Sequence, residues 1–251
     1  MSSQHKKLDG KVAVITGASK GIGAGIAKAF GNEGASVVVN YASDKIGAEN
    51  VVNEIIANGG KAIAVYADVS KEDDIAKMFK EANDAFGRLD ILVNNAGVFK
   101  SIPIEQISIE EFNRHFSINV LGNLLATKEA LKYFDKKGGS IINMTSVVSE
   151  KGQANYAVYS GTKGAVQTIT HSLASELGSR NIRVNSIAPG AIDTEGAHGD
   201  FSGEMGELLV KLTPLGRVGY PQDVSGAAVF LASDDSAFIS DCRIVVSGGL
   251  K

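Results

Sequence analysis

The sequence contains little of what disulfides, metal sites and membrane spans require. It has one cysteine, Cys242, with four histidines, four prolines and no tryptophan in 251 residues. A single cysteine excludes an intramolecular disulfide, and the histidines lack the spacing of metal ligands, so we predict no metal site. No segment approaches the roughly 20 apolar residues that a membrane span needs.

Charge and the polar start of the chain narrow the possible partners. The formal net charge is -3, with 44% hydrophobic and 21% charged residues, an ordinary balance for a globular protein. This charge gives no reason to expect nucleic acid or an anionic membrane as partner. Residues 1–7 are polar and basic without an apolar run behind them, so we expect a flexible tail, no secretory signal and a cytoplasmic location.

Short apolar runs alternate with helical patterns along the whole chain. We predict strands at 12–16, 36–41, 62–67, 91–94, 140–145, 183–187 and 243–246, and helices at 22–32, 48–58, 70–86, 109–133 and 156–178. Ser70, with Asp73 three residues later, is interpreted as an imperfect capping box that begins the third helix. Strands that are apolar on both faces predict a parallel sheet covered by helices on both sides. We therefore predict one doubly wound α/β (Rossmann) domain over residues 1–251, with seven parallel strands.

One segment interrupts the alternation. Residues 192–216 are rich in glycine and polar side chains, with a short helical pattern at 203–212. A long segment next to a strand end is typical of a lid over a substrate site, and a mobile surface insertion is the alternative.

A glycine-rich turn follows the first strand and begins the first helix. Gly17 permits a sharp turn, Gly21 lets the backbone approach a pyrophosphate, and Gly23 allows close packing of the helix. The helix N-terminus adds free amide donors and a positive partial charge. This context predicts dinucleotide binding rather than only a tight turn, and a nucleoside-triphosphatase loop is disfavoured because no Gly-Lys-Ser/Thr ending is present.

The end of the second strand bears on which dinucleotide binds. An enzyme that prefers NAD usually has an acidic residue there for the ribose 2′-hydroxyl, and none precedes Asp44. Lys20 adds a cation near the turn, and Ser43 can donate to a phosphate. We predict NADP(H) over NAD(H), with Asp44 as the alternative if the register shifts.

Tyr159 and Lys163 are four residues apart, so a helix would place them on one face. A phenol has a pKa near ~10, and an adjacent ammonium favours the phenolate and lowers that pKa. A tyrosine of this kind can act as a general acid or base. By itself such a pair is more often a solvated helix face.

Together these residues resemble the short-chain dehydrogenase/reductase family, over nearly the whole chain from 8 to 249. The matching motifs are the turn 16–23, Asp68-Val69, Asn94-Asn95-Ala96-Gly97, Asn119, Ser146, Tyr159 with Lys163, and Pro189-Gly190. Two departures are Gly161 and Thr162 between the tyrosine and the lysine, and Ser247 where an aspartate is usual. The group resembled contains oxoacyl-carrier-protein reductases and glucose dehydrogenases.

The resemblance implies a role for each catalytic candidate. Tyr159 would protonate the carbonyl oxygen, and Ser146 would hydrogen-bond that oxygen. Lys163 would lower the pKa of Tyr159 and bind the nicotinamide ribose. Asn119 would lie in a helix and hold a water that connects Lys163 with solvent.

The resemblance also implies the cofactor contacts. Asp68 and Val69 would contact the adenine, Asn95 to Gly97 the adenosine ribose, and Ile192 and Thr194 the carboxamide and pyrophosphate, while Asn94 would be structural. The complete predicted set is Gly17, Ser19, Lys20, Gly21, Ile22, Gly23, Asn40, Tyr41, Ala42, Ser43, Asp68, Val69, Asn95, Ala96, Gly97, Tyr159, Lys163, Pro189, Gly190, Ile192 and Thr194.

The predicted substrate pocket is largely apolar and has no cluster of arginine or lysine. Its candidates are Val98, Val147, Val148, Gln153, Tyr156, Ala191, His198, Phe201 and Met205. We expect an NADP(H)-dependent reductase of a neutral ketone or a small keto ester. The resemblance implies a tetramer or a dimer, and we expect a homotetramer. The alternatives are an oxoacyl-carrier reductase, a sugar or polyol dehydrogenase, and a non-catalytic NADP-binding regulator.

Overall fold

The computed structural model describes residues 6–195 and 203–250. The strands are Val12–Ile15 (β1), Ser36–Tyr41 (β2), Lys61–Tyr66 (β3), Ile91–Asn94 (β4), Gly139–Met144 (β5), Ile182–Pro189 (β6) and Arg243–Val246 (β7). The helices are Gly21–Asn32 (α1), Lys45–Ala57 (α2), Glu72–Phe86 (α3), Ile109–Phe116 (α4), Gly122–Ala130 (α5), Val148–Lys151 (α6), Ala157–Leu177 (α7), Glu204–Leu212 (α8) and Pro221–Ala232 (α9).

The seven strands form one parallel sheet in the order β3-β2-β1-β4-β5-β6-β7. The chain proceeds outwards from β1 to one edge and then from β4 to the other. The order therefore reverses between β1 and β4, and a crevice forms at the carboxyl ends of these two strands. The predicted doubly wound α/β fold is confirmed.

Buried side chains form a layer on each face of the sheet. On one face, Phe30 of α1, Ile55 of α2 and Leu231 of α9 pack on the strands. On the other face, Phe79 of α3 and Leu177 of α7 do so. These layers explain why the strands are apolar on both faces.

Two helix starts differ from the predictions by more than one residue. The helix predicted at 48–58 begins earlier, because the Asp44 carboxylate accepts a hydrogen bond of 2.9 Å from the Gly47 amide and caps α2. The capping box at Ser70 is wrong. The Ser70 hydroxyl instead donates to Asp68 at 2.7 Å, and α3 begins at Glu72 after Lys71.

The predicted helix 109–133 is present as a continuous path with an irregular centre. Between α4 and α5, residues Ser117–Leu121 wind as a π-helix. Such segments occur mostly as single turns at functional sites. Asn119 lies within this one and is only 3% exposed.

Candidate active site

The glycine turn lies in the crevice between β1 and β4. Gly17 and Gly21 have φ of 61° and 59°, in the left-handed region that favours glycine. A Cβ on Gly17 would stand 2.9 Å from Ala96 Cα, so the close approach of two backbones also requires glycine. A Cβ on Gly23 would meet the Asn95 amide nitrogen at 2.5 Å.

Residues after β4 support this turn. The Asn95 side chain donates to the carbonyl oxygens of Thr16 and Gly17, each at 2.9 Å. The Thr16 hydroxyl accepts from the amides of Asn95 and Ala96, each at 3.0 Å. The turn is therefore rigid, and the side chain of Asn95 is engaged in holding it.

The N-terminus of α1 contacts Glu195, a residue that the sequence analysis did not predict for the site. Lys20 provides no side-chain cap, and α1 has no acidic residue in its first turn. The Gly21 amide donates instead to the carboxylate of Glu195 at 3.3 Å. Thr194 is also beside this turn, since a Cβ on Gly21 would lie 3.4 Å from Thr194 Cβ. The one feature of the sequence that pointed to Glu195 is that it directly follows Thr194, a predicted cofactor residue.

The end of β2 separates the predicted cofactor residues into two groups. Asn40 is 1% exposed, accepts from the Gly17 amide at 2.9 Å, and donates to Ala67 at 3.1 Å. The Asn40 side chain thus connects the glycine turn with Ala67, the residue that follows β3. Ala42 and Ser43 are exposed, whereas the Asp44 carboxylate is occupied as the cap of α2.

Asp68 and Val69 follow β3 on the same edge of the sheet. The Asp68 carboxylate accepts from the Ser70 amide at 3.0 Å and lies 3.8 Å from the Lys71 ammonium. Val69 is 6% exposed and packs against Gly122, where an added Cβ would lie 2.8 Å from it.

Three elements bring the predicted catalytic residues together. Ser146 follows β5, Tyr159 and Lys163 lie one turn apart on α7, and Asn119 lies in the π-helix. The Lys163 ammonium stands 5.7 Å from the centre of the Tyr159 ring and donates to the Met144 carbonyl at 2.8 Å. The helical pairing that the spacing predicts is therefore present.

The electrostatics of the pair differ from the prediction. Burial raises the pKa of Tyr159 to about 12, and a hydrogen bond with the Ser146 side chain opposes this rise. Burial lowers the pKa of Lys163 to about 8. The predicted lowering of the Tyr159 pKa by Lys163 is thus wrong. Desolvation of the phenol dominates, and the ammonium is bonded to Met144.

The Asn119 side chain is used within the protein. It accepts from the Val98 amide at 2.8 Å, and it donates to the Val98 carbonyl at 2.9 Å and the Thr162 hydroxyl at 3.0 Å. These bonds attach the loop after β4 to α7.

A small internal cavity of about 10 Å³ adjoins Asn119 and Lys163. Asn94 and Asn123 also line it, and the side-chain oxygen of each is buried without a hydrogen-bond partner. This volume is about that required by one water molecule.

A second cavity, of about 540 Å³, is lined by half of the residues predicted for the site, including Ser146, Tyr159 and Lys163. Its lining includes Ile22, Asn95, Gly97, Val98, Ser146, Val147, Val148, Gln153, Tyr156, Tyr159, Lys163, Pro189, Gly190, Ala191, Ile192 and Thr194, all predicted for the site. His198 and Phe201 lie outside the described residues, as does the side chain of Met205. Phe99, Met144, Thr145, Leu209 and Leu250 also line the cavity and were not among the predicted residues. Phe99 on a loop and Leu250 near the chain end carry no periodic signal, whereas Leu209 lies on α8.

Other kinds of site find no support in the described part of the chain. Among residues 6–195 and 203–250, no group of three or more histidine, cysteine, aspartate or glutamate side chains is arranged to hold a metal. No helix within the same ranges is both long and apolar enough to cross a membrane.

Comparisons with known proteins agree with this geometry. Residues 17–251 match a family model described as enoyl-(acyl carrier protein) reductase. An uncharacterized oxidoreductase of Methylorubrum extorquens is 53% identical, with 98% of this chain and 99% of that protein covered. Versicolorin reductase of Emericella nidulans is 42% identical, with 99% and 98% covered.

Solved structures place the fold in the same group. The angucycline C-6 ketoreductase LanV, solved with bound NADP, superimposes with a TM-score of 0.91 at 36% identity, with 97% of this chain and 96% of that chain covered. LugOII, a reductase that catalyses keto-reduction in lugdunomycin biosynthesis, has a TM-score of 0.92 at 36% identity, with 97% of this chain and 99% of that chain covered.

The chain belongs to the short-chain dehydrogenase/reductase family. As a member, it is an oxidoreductase that binds a nicotinamide cofactor and acts on small molecules.

Proposed function

We propose that this protein is an NADP(H)-dependent reductase that converts a ketone to a secondary alcohol, in a reversible reaction. The observation that carries the proposal is that Ser146, Tyr159 and Lys163 line one cavity. That cavity extends to Ile22 and Thr194, beside the glycine turn. A proton donor and a dinucleotide cradle therefore share one space.

The proposed mechanism assigns proton transfer to the protein. A nicotinamide cofactor held at the glycine turn would supply the hydride for the carbonyl carbon. The Ser146 hydroxyl holds the carbonyl oxygen, and Tyr159 gives that oxygen its proton. Because the pKa of Tyr159 is about 12, the phenol is protonated at neutral pH and has a proton to give.

Lys163 and Asn119 complete the proposed proton path. The pKa of Lys163, about 8, lies close enough to neutrality for the ammonium to return a proton to Tyr159. A water in the small cavity beside Asn119 would connect Lys163 with solvent. The free acceptor oxygens of Asn94 and Asn123 support the presence of such a water, because buried polar atoms normally have a partner.

For the cofactor, we propose NADP(H) in preference to NAD(H). Ser43 is exposed beyond β2 and Lys20 lies at the turn, both suited to a 2′-phosphate. Asp44, the acid that would bind a ribose 2′-hydroxyl, is occupied as a helix cap. The bound NADP of LanV agrees with this preference.

For the substrate, we propose a neutral ketone on an apolar ring system. Val147, Val148, Tyr156 and Leu209 form an apolar wall of the cavity. Lys163 is the one basic residue in the described lining. No second cationic side chain there is available to pair with the phosphate of a carrier-bound substrate. A sugar would leave its hydroxyls unpaired against this wall. The similarity to versicolorin reductase points the same way.

The organisation we propose is one catalytic domain over residues 1–251, with 192–216 covering the substrate. Leu209 of α8 supports the covering role, since it lines the cavity.

We also propose a homotetramer, supported by Phe112, Leu121 and Leu124, which expose apolar side chains along the α4–α5 path. Light scattering on the purified protein tests the assembly.

The test follows nicotinamide absorbance with a panel of polycyclic ketones, carrier-bound oxoacyl groups and sugars. We expect turnover of ketones with NADPH, and a kcat/KM at least about ten-fold lower with NADH; equal values would refute the cofactor preference. Tyr159→Phe should lower kcat by about 10²- to 10⁴-fold while cofactor still binds. Tyr133→Phe is the matched control, because Tyr133 stacks on Phe79 at 6.0 Å, away from the cavity. Unchanged turnover in Tyr159→Phe would overturn the mechanism, and cofactor binding without turnover of any class would favour a regulator.

A further inference from the structure

Arg243, the first residue of β7, reaches from the edge of the sheet to the turn that carries Ser146. It pairs in register with Ser186, whose hydroxyl donates to Gln167 of α7, so the Arg243 side chain lies on the α7 face. Its Nη2 donates to the Ser146 carbonyl oxygen at 3.2 Å, and its Nη1 lies 3.1 Å from a carboxylate oxygen of Glu150. The arginine side chain is only 15% exposed.

The segment that Arg243 contacts is short, and its Val147 amide also donates to the Pro189 carbonyl of β6 at 3.1 Å. After Ser146 the chain forms α6, a helix of four residues, far shorter than a helix that is stable alone. Within the segment, the Ser146 carbonyl also accepts from the Ser149 hydroxyl at 2.7 Å. Val147 and Val148, from the same segment, line the large cavity. The position of this turn therefore determines where the Ser146 hydroxyl lies. It also determines the part of the cavity wall that Val147 and Val148 form.

The two contacts of the guanidinium are unequal in value. Glu150 is 59% exposed, and an ion pair at such a site contributes little. The bond to the Ser146 carbonyl is charge-assisted and shielded, and bonds of this type are stronger. Arg243 Nε is buried without a partner, which is unfavourable. The bond to the Ser146 carbonyl is therefore the contact through which Arg243 acts on the turn.

We propose that Arg243 is a positioning residue that fixes the Ser146 turn, and through it the ketone oxygen, for hydride and proton transfer. The inference rests on the proposed function for its catalytic part. Transfer requires the reacting atoms to be well aligned, and a displacement of about 1 Å can lower a rate about 10²-fold. Arg243 itself touches neither substrate nor cofactor in this scheme.

A double-mutant cycle with Ser146 tests the catalytic part. Arg243→Met keeps a long apolar stem and removes both the hydrogen bond to Ser146 and the ion pair with Glu150. We expect it to lower kcat about ten-fold with the cofactor Kd unchanged. Arg243→Lys keeps a positively charged donor group and should therefore lower kcat less than Arg243→Met does. In a Ser146→Ala background, Arg243→Met should cost little more, because its effect acts through Ser146. An equal loss in both backgrounds would overturn the proposal, since a general loss of folding multiplies with the Ser146 effect.

Hydrogen exchange gives a readout that does not depend on turnover. Arg243→Met should speed amide exchange in residues 147–152 and leave α9 unchanged. If the wild-type protein reduces no ketone, the proposed function fails while faster exchange still supports the positioning role. Unchanged exchange in 147–152 would refute that role. Glu150→Gln is the matched control, and it should leave kcat within about two-fold because the exposed ion pair contributes little.

Discussion

Replacement of Lys163 by methionine should stabilise the protein while it abolishes catalysis. Burial lowers the pKa of this lysine from 10.5 to about 8, a difference worth about 3 kcal/mol against the charged form. At pH 7 the ammonium is nevertheless protonated and buried, so the folded state bears that penalty. Methionine removes the charge but also the hydrogen bond to Met144, worth about 1 kcal/mol. We expect a net gain of about 2 kcal/mol in the free energy of unfolding at pH 7.

The same pKa fixes how wild-type stability depends on pH. Between pH 8 and 10.5 the unfolded lysine binds a proton that the folded one has released, so stability rises with pH. Below pH 8 both states are protonated and the gain is lost. Tyr159 acts in the opposite direction only above about pH 10, where the unfolded phenol ionises and the folded one, with its pKa of about 12, does not. The range from pH 8 to 10 therefore reports on Lys163.

The assay is urea unfolding of wild-type protein and Lys163→Met at pH 7 and pH 9.5, at equal protein concentration. The advantage of the variant should narrow by at least about 1 kcal/mol at the higher pH. Subtraction of the variant removes contributions from other titrating groups. A wild-type free energy of unfolding that stays flat over this range, or a variant less stable at pH 7, would refute the assignment of a desolvated lysine.

Three further predictions concern the cofactor cradle, α7 and α1. Glu195→Gln should tighten NADP(H) binding about two- to five-fold, because a neutral amide competes less with phosphate at the amide end of α1, where charge effects are about 0.3–1 kcal/mol. Fluorescence titration measures it, the exposed Glu204→Gln is the control, and weaker binding would contradict the competition. Gly161→Ala should stabilise α7 by about 0.5–1 kcal/mol, because a Cβ there meets nothing within 4 Å. In contrast, Gly25→Ala should destabilise, since its Cβ would lie 2.7 Å from Pro221; a melting temperature that fell in Gly161→Ala would show that this surface is not open.

The fold was predictable because its signals are local and repeated. Strands buried on both faces read as unbroken apolar runs, and each glycine at the turn meets a steric demand visible in the motif. The spacing of Tyr159 and Lys163 likewise predicted a shared helix face. Patterns of this kind survive because the sheet and the helices impose fixed periods on the chain.

What escaped prediction depends on partners distant in sequence. Asn40 carries no sign that its amide turns inward to the glycine turn, and Ser70 resembles a cap until Asp68 accepts its hydroxyl. The pKa of Tyr159 is set by how deeply the phenol is buried, which spacing does not reveal. Arg243 contacts a carbonyl 97 positions away in the chain.

The π-helix between α4 and α5 makes the length of this stretch more important than its composition. Each residue advances a regular helix by about 100°, and the five residues of a π-turn cover roughly the arc of four such residues. Deletion of one residue from 117–121 would therefore restore ordinary winding with α4 and α5 close to their present directions, and the stacked pair of Phe112 and Phe116 would stay in place. The change would fall on Asn119, which would lose its bonds to Val98 and Thr162, so the loss of a single position should disturb the site and leave the helices folded.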